Sequence, residues 1–171
     1  MKQRVRCLSQ QRVSLTGEDR LLLENLYATR DLEFQRSLEA LLNRAGLSFT
    51  LFDDGTRPGA FDYLLHVGER PDLVIECKTK QNNGLVDLNS ARVVLASASQ
   101  YGFDENFCIT VCQPGIDPNV PEHLQGCAKL AVVETHDLAA GLVKVIAGVM
   151  TPAQLHDWLS QPGQATVETM G

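Results

Sequence analysis

The chain has 171 residues, enough for one domain with its own core, and nothing in its length calls for two. Fifteen Lys and Arg stand against 21 Asp and Glu, a formal charge of −6, which runs against the overall basic excess usual in nucleic-acid binders, so any such role needs a local basic patch or a partner. No apolar run approaches the roughly 20 residues needed to cross a bilayer, and the basic N-terminus lacks the apolar stretch of a signal peptide. The five cysteines, Cys7, Cys77, Cys108, Cys112 and Cys127, form no CxxC pair. They suggest neither a disulfide framework nor a zinc site, and the expected compartment is a reducing, cytoplasmic one.

Residues 1–15 are polar and expected to be a flexible N-terminus, followed by a single domain over 16–162. Residues 15–30 predict a helix with Thr16 as N-cap and acids in its first turn. After Arg30-Asp31 a second helix is predicted over 32–46, where Phe34, Leu38, Leu41 and Leu42 recur at helical spacing and Gly46 suits the C-cap. Residues 47–52 alternate as a strand, and 53–59 form a turn-rich loop in which Asp53 and Asp54 read as turn formers. Two further strands, 60–67 and 72–80, flank the turn Gly68-Glu69-Arg70-Pro71. A helix over 87–102 and a strand over 106–112 follow. In that strand Cys108 and Cys112 share one face as small core residues. A Pro-rich loop spans 113–122, then a strand over 128–134. Helices are predicted over 135–149 and 151–161, the latter with Pro152 at its first position and Trp158 as its packing anchor. Residues 163–171 are expected to be a disordered tail. The order implies an α/β fold, a mixed sheet flanked by helices.

Chemistry concentrates in the hairpin 60–80. Asp62, Leu64 and His66 share one face of its first strand; Val74, Glu76 and Lys78 share one face of its second. With the turn centred on Glu69, residue 64 faces 74 and Asp62 faces Glu76. Directly opposed carboxylates lie about 5 Å apart at Cβ and repel unless something sits between them. A divalent cation is the natural occupant, and two carboxylates with a backbone carbonyl and water suit Mg²⁺, which prefers oxygen ligands. Lys78 lies roughly 6.6 Å further along the face, within reach of a phosphate or an attacking water. Asp72, four residues before Glu76, is roughly 13 Å from it along the strand and cannot share the ion. The histidines His66, His123, His136 and His156 have no metal spacing and read as surface or helix-end residues. Lys80, Arg57 and Arg92 are the basic residues available for phosphate contacts.

The Asp62…Glu76-Cys77-Lys78 set, with residues 34–52 before it and 87–115 after it, resembles the PD-(D/E)xK nuclease superfamily, in particular Mrr-type restriction endonucleases and archaeal Holliday-junction resolvases. The resemblance implies a restriction-endonuclease-like mixed central β-sheet flanked by α-helices, and catalysis of DNA phosphodiester hydrolysis by Asp62, Glu76 and Lys78. It implies Mg²⁺, replaceable by Mn²⁺, held by Asp62, Glu76 and the Cys77 carbonyl. The sequence departs from the Mrr pattern where Gln35, rather than a glutamate, follows Phe34; Glu39, one turn on, is the candidate replacement ligand.

Two readings remain open at this level. The first is a Mg²⁺-dependent endonuclease in restriction, defence or repair. The second is a catalytically inactive module that binds nucleic acid or partner proteins in a larger assembly. The expected partners are DNA and either a second copy of the chain or a recognition partner, with no membrane involved.

Overall fold

The computed structural model describes residues 15–82 and 84–171; the flexible segment expected over 1–15 falls, except for Leu15, outside them. Among the described residues, six helices and six strands succeed one another as α1 Gly17–Ala28, α2 Asp31–Arg44, β1 Ser48–Leu51, β2 Tyr63–His66, β3 Leu73–Thr79, α3 Leu88–Gln100, β4 Cys108–Gln113, α4 Val120–His123, β5 Leu130–Glu134, α5 Thr135–Ile146, α6 Pro152–Leu159 and β6 Gly163–Ala165, with a 3₁₀ turn at Val167–Thr169. Helix starts follow the expected chemistry. Thr16 and Asp19 close a reciprocal capping box on α1, and Thr151 caps α6 ahead of Pro152.

The strands form one sheet in sequence order, β1 to β6. β1, β2 and β3 run antiparallel, whereas β3, β4, β5 and β6 pair in parallel. Alternation along the strands divides the core into two layers. Tyr63, Leu65, Leu73, Ile75, Ile109, Val111 and Val133 face α1, α2, α5 and α6. Leu64, Val74, Cys108, Cys112 and Val132 face α3, where Ala91, Val94 and Ala98 pack on them. The two cysteines of β4 are thus buried members of one layer, as their spacing predicts.

The C-terminal segment corrects the sequence reading: residues 163–171, expected to be a disordered tail, complete the sheet. Ala131, Val132 and Val133 pair with Gly163, Gln164 and Ala165. The Trp158 indole N–H donates to the Thr166 carbonyl and to Thr169 Oγ1, both at 3.1 Å. The Val167 N–H donates to Asp137 Oδ1 at 2.9 Å, and Met170 is buried. Gly-Gln-Ala has no strand propensity of its own; the open edge of β5 and the Trp158 anchor order it. Among the histidines, His156 lies in the last turn of α6, as expected of a helix-end residue, and is buried, its Nε2 2.9 Å from the Pro71 carbonyl. Among the described residues, no helix is long and apolar enough to cross a membrane.

Candidate active site

The site arises where β3 outlasts one of its neighbours. Pairing with β2 ends at Tyr63↔Ile75, while pairing with β4 continues to Thr79↔Gln113. Residues 76–79 therefore have a free edge toward β2, and a buried backbone N–H there needs another acceptor. Asp62, just before β2, supplies it: the Cys77 N–H donates to Asp62 Oδ2 at 2.6 Å, and the Asp62 N–H donates to the Ile75 carbonyl at 3.1 Å. The Leu64↔Val74 register matches the one derived from the turn. The ladder stops short of Asp62, which meets β3 through its own N–H on the Ile75 carbonyl and its carboxylate on the Cys77 N–H.

Both acids are buried, Asp62 with 4% and Glu76 with 8% of its surface exposed. Burial, then the Glu76 charge, raises the Asp62 pKa to about 7, despite the opposing Cys77 N–H bond and the Lys78 charge. Burial likewise raises the Glu76 pKa, against the bond and charge of Lys78. Lys78 Nζ lies 2.5 Å from Glu76 Oε1, whereas Glu76 Oε2 is buried and has no hydrogen-bond partner among the described residues. The Cys77 thiol is pushed well above its ordinary range, first by burial and then by the two carboxylates, and stays uncharged. Among the described residues, the Lys78 ammonium is the cation bonded to this pair of buried acids, and one Glu76 oxygen is left without a partner.

That arrangement fits a hard divalent cation. Among the described residues, no three His, Cys, Asp or Glu side chains are grouped to hold a metal. An ion held here would have Asp62 and Glu76 as its side-chain donors and would need a backbone carbonyl, such as that of Cys77, and water to complete its shell. A cleft of about 410 Å³ is lined by Asp31, Leu32 and Gln35 of α2 and by Cys77, Lys78 and Thr79 of β3; the acids are tied to it through their bonds to Gln35 and Lys78.

The structure adds two residues that sequence reasoning passed over or undervalued. Gln35, noted only as a departure from a pattern, donates its amide to Asp62 Oδ1 at 2.7 Å. Asp53, read as a turn former, does accept from the Gly55 N–H, but its charge also raises both Asp62 and Glu76. The signal for Gln35 was its place one residue after the core residue Phe34; no local pattern marks Asp53.

Other candidate residues lie elsewhere. Glu39 accepts from the Tyr63 hydroxyl at 3.0 Å, whereas the α2 side chain bonded to Asp62 is Gln35. Lys80 Nζ lies 3.4 Å from Ser90 Oγ at the start of α3. Arg57 pairs with Asp54 and stacks 4.6 Å over Phe52. Arg92 donates to the His123 carbonyl. None of the three lines the cleft. Asp72, set aside on spacing, accepts from or pairs with His66 Nδ1 at 2.8 Å, well away from the acids.

A mixed six-stranded sheet flanked by helices, with the antiparallel hairpin on one side and parallel strands on the other, is the restriction-endonuclease fold. Among solved structures, the chain is similar to the restriction endonuclease FokI (TM-score 0.61, 14% identity, covering 91% of this chain and 32% of that one). It is similar also to FokI bound to DNA (TM-score 0.65, 14% identity, 96% and 33%). The chain thus spans about a third of the FokI chain, and at this identity the likeness establishes the fold alone. No protein-family model matches the chain, and no curated protein matches it.

Proposed function

We propose that this chain is a Mg²⁺-dependent endonuclease that hydrolyses DNA phosphodiester bonds, a member of the PD-(D/E)xK superfamily. The observation that carries the reading is the buried Glu76 Oε2, which lacks a hydrogen-bond partner among the described residues, beside Asp62 and with Lys78 Nζ on the same carboxylate. Asp62, Glu76 and the Cys77 carbonyl would hold the ion; when bound, Mg²⁺ (or Mn²⁺) polarises the phosphate and acidifies water. Lys78 Nζ donates to a phosphate oxygen or orients the attacking water, countering negative charge on the phosphoryl oxygens. As the water oxygen forms the new P–O bond and gives up a proton to solvent, the bond to the sugar oxygen breaks and that oxygen takes a proton from solvent, while the Asp62–Cys77 bond keeps the carboxylate fixed. The Gln35 amide holds the other Asp62 oxygen, orienting that carboxylate without adding charge.

The net charge of −6 and the positions of Lys80, Arg57 and Arg92 away from the cleft argue that DNA affinity is completed by a second copy of the chain or by a recognition partner. A role in restriction, defence or repair and a cytoplasmic location accord with this reading. The test is calorimetric titration with Mg²⁺ together with a cleavage assay on duplex and branched DNA, with Glu76→Gln as control. Metal binding and cleavage, both lost in the variant, uphold the proposal. A second reading, a catalytically silent binding module, is favoured by Gln35 and by Lys78 already paired with Glu76. It wins if the protein binds DNA or a partner but takes up no divalent ion.

A further inference from the structure

The helix that walls the cleft has an unusual beginning. The residue before it, Arg30, makes no side-chain cap, and Asp31 has φ +51°, the left-handed region that a residue with a Cβ occupies only when its surroundings impose it. What imposes it is the end of β3. The Asp31 N–H donates to Thr79 Oγ1 at 3.0 Å, and the Thr79 hydroxyl donates back to Asp31 Oδ1 at 2.7 Å. Beside this pair, the Gln81 amide reaches Asp31 Oδ2 at 3.4 Å and Arg30 Nε donates to the Lys80 carbonyl at 3.0 Å. Four bonds thus join two segments some fifty residues apart, next to Lys78.

We propose that the Asp31–Thr79 clasp is the positioning element of the cleft, setting α2 against β3 so that Gln35 meets Asp62. The inference rests on the nuclease reading of the site for its catalytic consequence, though not for its geometry. Asp31 and Gln35 are four residues apart and share a helix face, and both line the cleft. The helix rises roughly 6 Å between them, so a shift at Asp31 is carried to Gln35 as by a rigid rod. The 2.7 Å Gln35–Asp62 bond tolerates only a few tenths of an ångström before it weakens. Neither Asp31 nor Thr79 touches the reacting atoms in this scheme; both act through Gln35.

The variant Thr79→Val keeps the side-chain shape and removes both clasp bonds, while Thr79→Ser keeps the hydroxyl. Asp31→Gly removes the carboxylate, retains the N–H bond and accepts the left-handed backbone without strain. Two readouts are compared: the side-chain amide resonances of Gln35 by ¹⁵N NMR, and Mg²⁺-dependent cleavage resolved into kcat and KM. With the clasp positioning Gln35, Thr79→Val moves its amide resonances toward those of free glutamine and lowers kcat roughly tenfold with little change in KM, short of the hundredfold that a 1 Å misplacement can cost. Asp31→Gly gives a smaller effect in the same direction, and Thr79→Ser restores both readouts. Unchanged Gln35 resonances in folded Thr79→Val and Asp31→Gly, or a failure of Thr79→Ser to restore them, would overturn the proposal. If the wild type takes up no metal and cuts nothing, the nuclease reading falls, and the Gln35 resonances still decide the clasp.

Discussion

Replacing Asp62 with asparagine should make the metal-free protein more stable at neutral pH. Asp62 has a folded pKa of about 7 against 3.8 for a free side chain. Between those values the folded state keeps a proton that the unfolded state gives up, so wild-type stability falls as pH rises from about 4 to 7. A shift of this size amounts to roughly 4 kcal/mol at 1.36 kcal/mol per pH unit. Asparagine carries no charge to desolvate. Its carbonyl can accept from the Cys77 N–H, and its amide can donate to Gln35 once that side chain turns over. Weaker neutral bonds offset part of the gain, at about 1 kcal/mol each, leaving a net stabilisation of about 1–3 kcal/mol above pH 7. For a chain of this length each kcal/mol corresponds to roughly 2–4 °C in Tm. Thermal unfolding in chelator at unit steps from pH 4 to 8 measures it. The two proteins should coincide near pH 4 and diverge toward pH 7. Saturating Mg²⁺ should then raise only the wild type, by about 2.7 kcal/mol at a hundredfold excess over Kd. An Asp62→Asn Tm below wild type at pH 8, or parallel pH curves, would refute the account and mark Asp62 as a structural acceptor.

Mg²⁺ affinity itself should rise by up to about tenfold per unit as pH increases toward 7, because binding displaces the Asp62 proton, and should level off above it; calorimetry in buffers of different ionisation enthalpy would count that proton. Gly115→Ala sets a methyl 2.8 Å from Glu134 Oε1, which accepts from the Ile116 N–H, and should cost about 1–3 kcal/mol by urea denaturation. Trp158→Ala should cost about 3–5 kcal/mol and, more tellingly, should speed amide exchange across Gly163–Ala165 more than in β3. Binding of labelled duplex by the isolated chain should be weak, with log K against log salt near a slope of −3, about −0.9 per phosphate neutralised; a slope steeper than about −7 would reveal a basic surface that the structure does not display.

Most of the hairpin was legible in the sequence. A four-residue turn between two alternating strands leaves one register that buries Leu64, Leu65, Leu73 and Val74 while keeping the turn outside, and a one-residue slip would invert every side chain. The same local rules marked Thr16, Pro152 and the paired cysteines of β4. They failed at β6 because Gly163-Gln164-Ala165 carries no signal of its own. They misjudged Asp53 because a turn-forming aspartate looks the same whichever way its charge faces.

What the sequence by itself determined, then, is the period-2 and period-3.6 patterning, the turn positions, and with them the Leu64↔Val74 register of the hairpin. Tertiary structure alone decided that β2 stops pairing at Ile75 while β4 continues to Thr79, that α2 starts in a strained turn clasped to Thr79, and that the α2 side chain bonded to Asp62 is Gln35. The division has a physical cause. Patterning and turn chemistry act between neighbours within a few residues, whereas the free edge of β3 and the burial that raises the Asp62 pKa exist only once segments 27 to 48 residues apart in the chain have excluded water from the space between them.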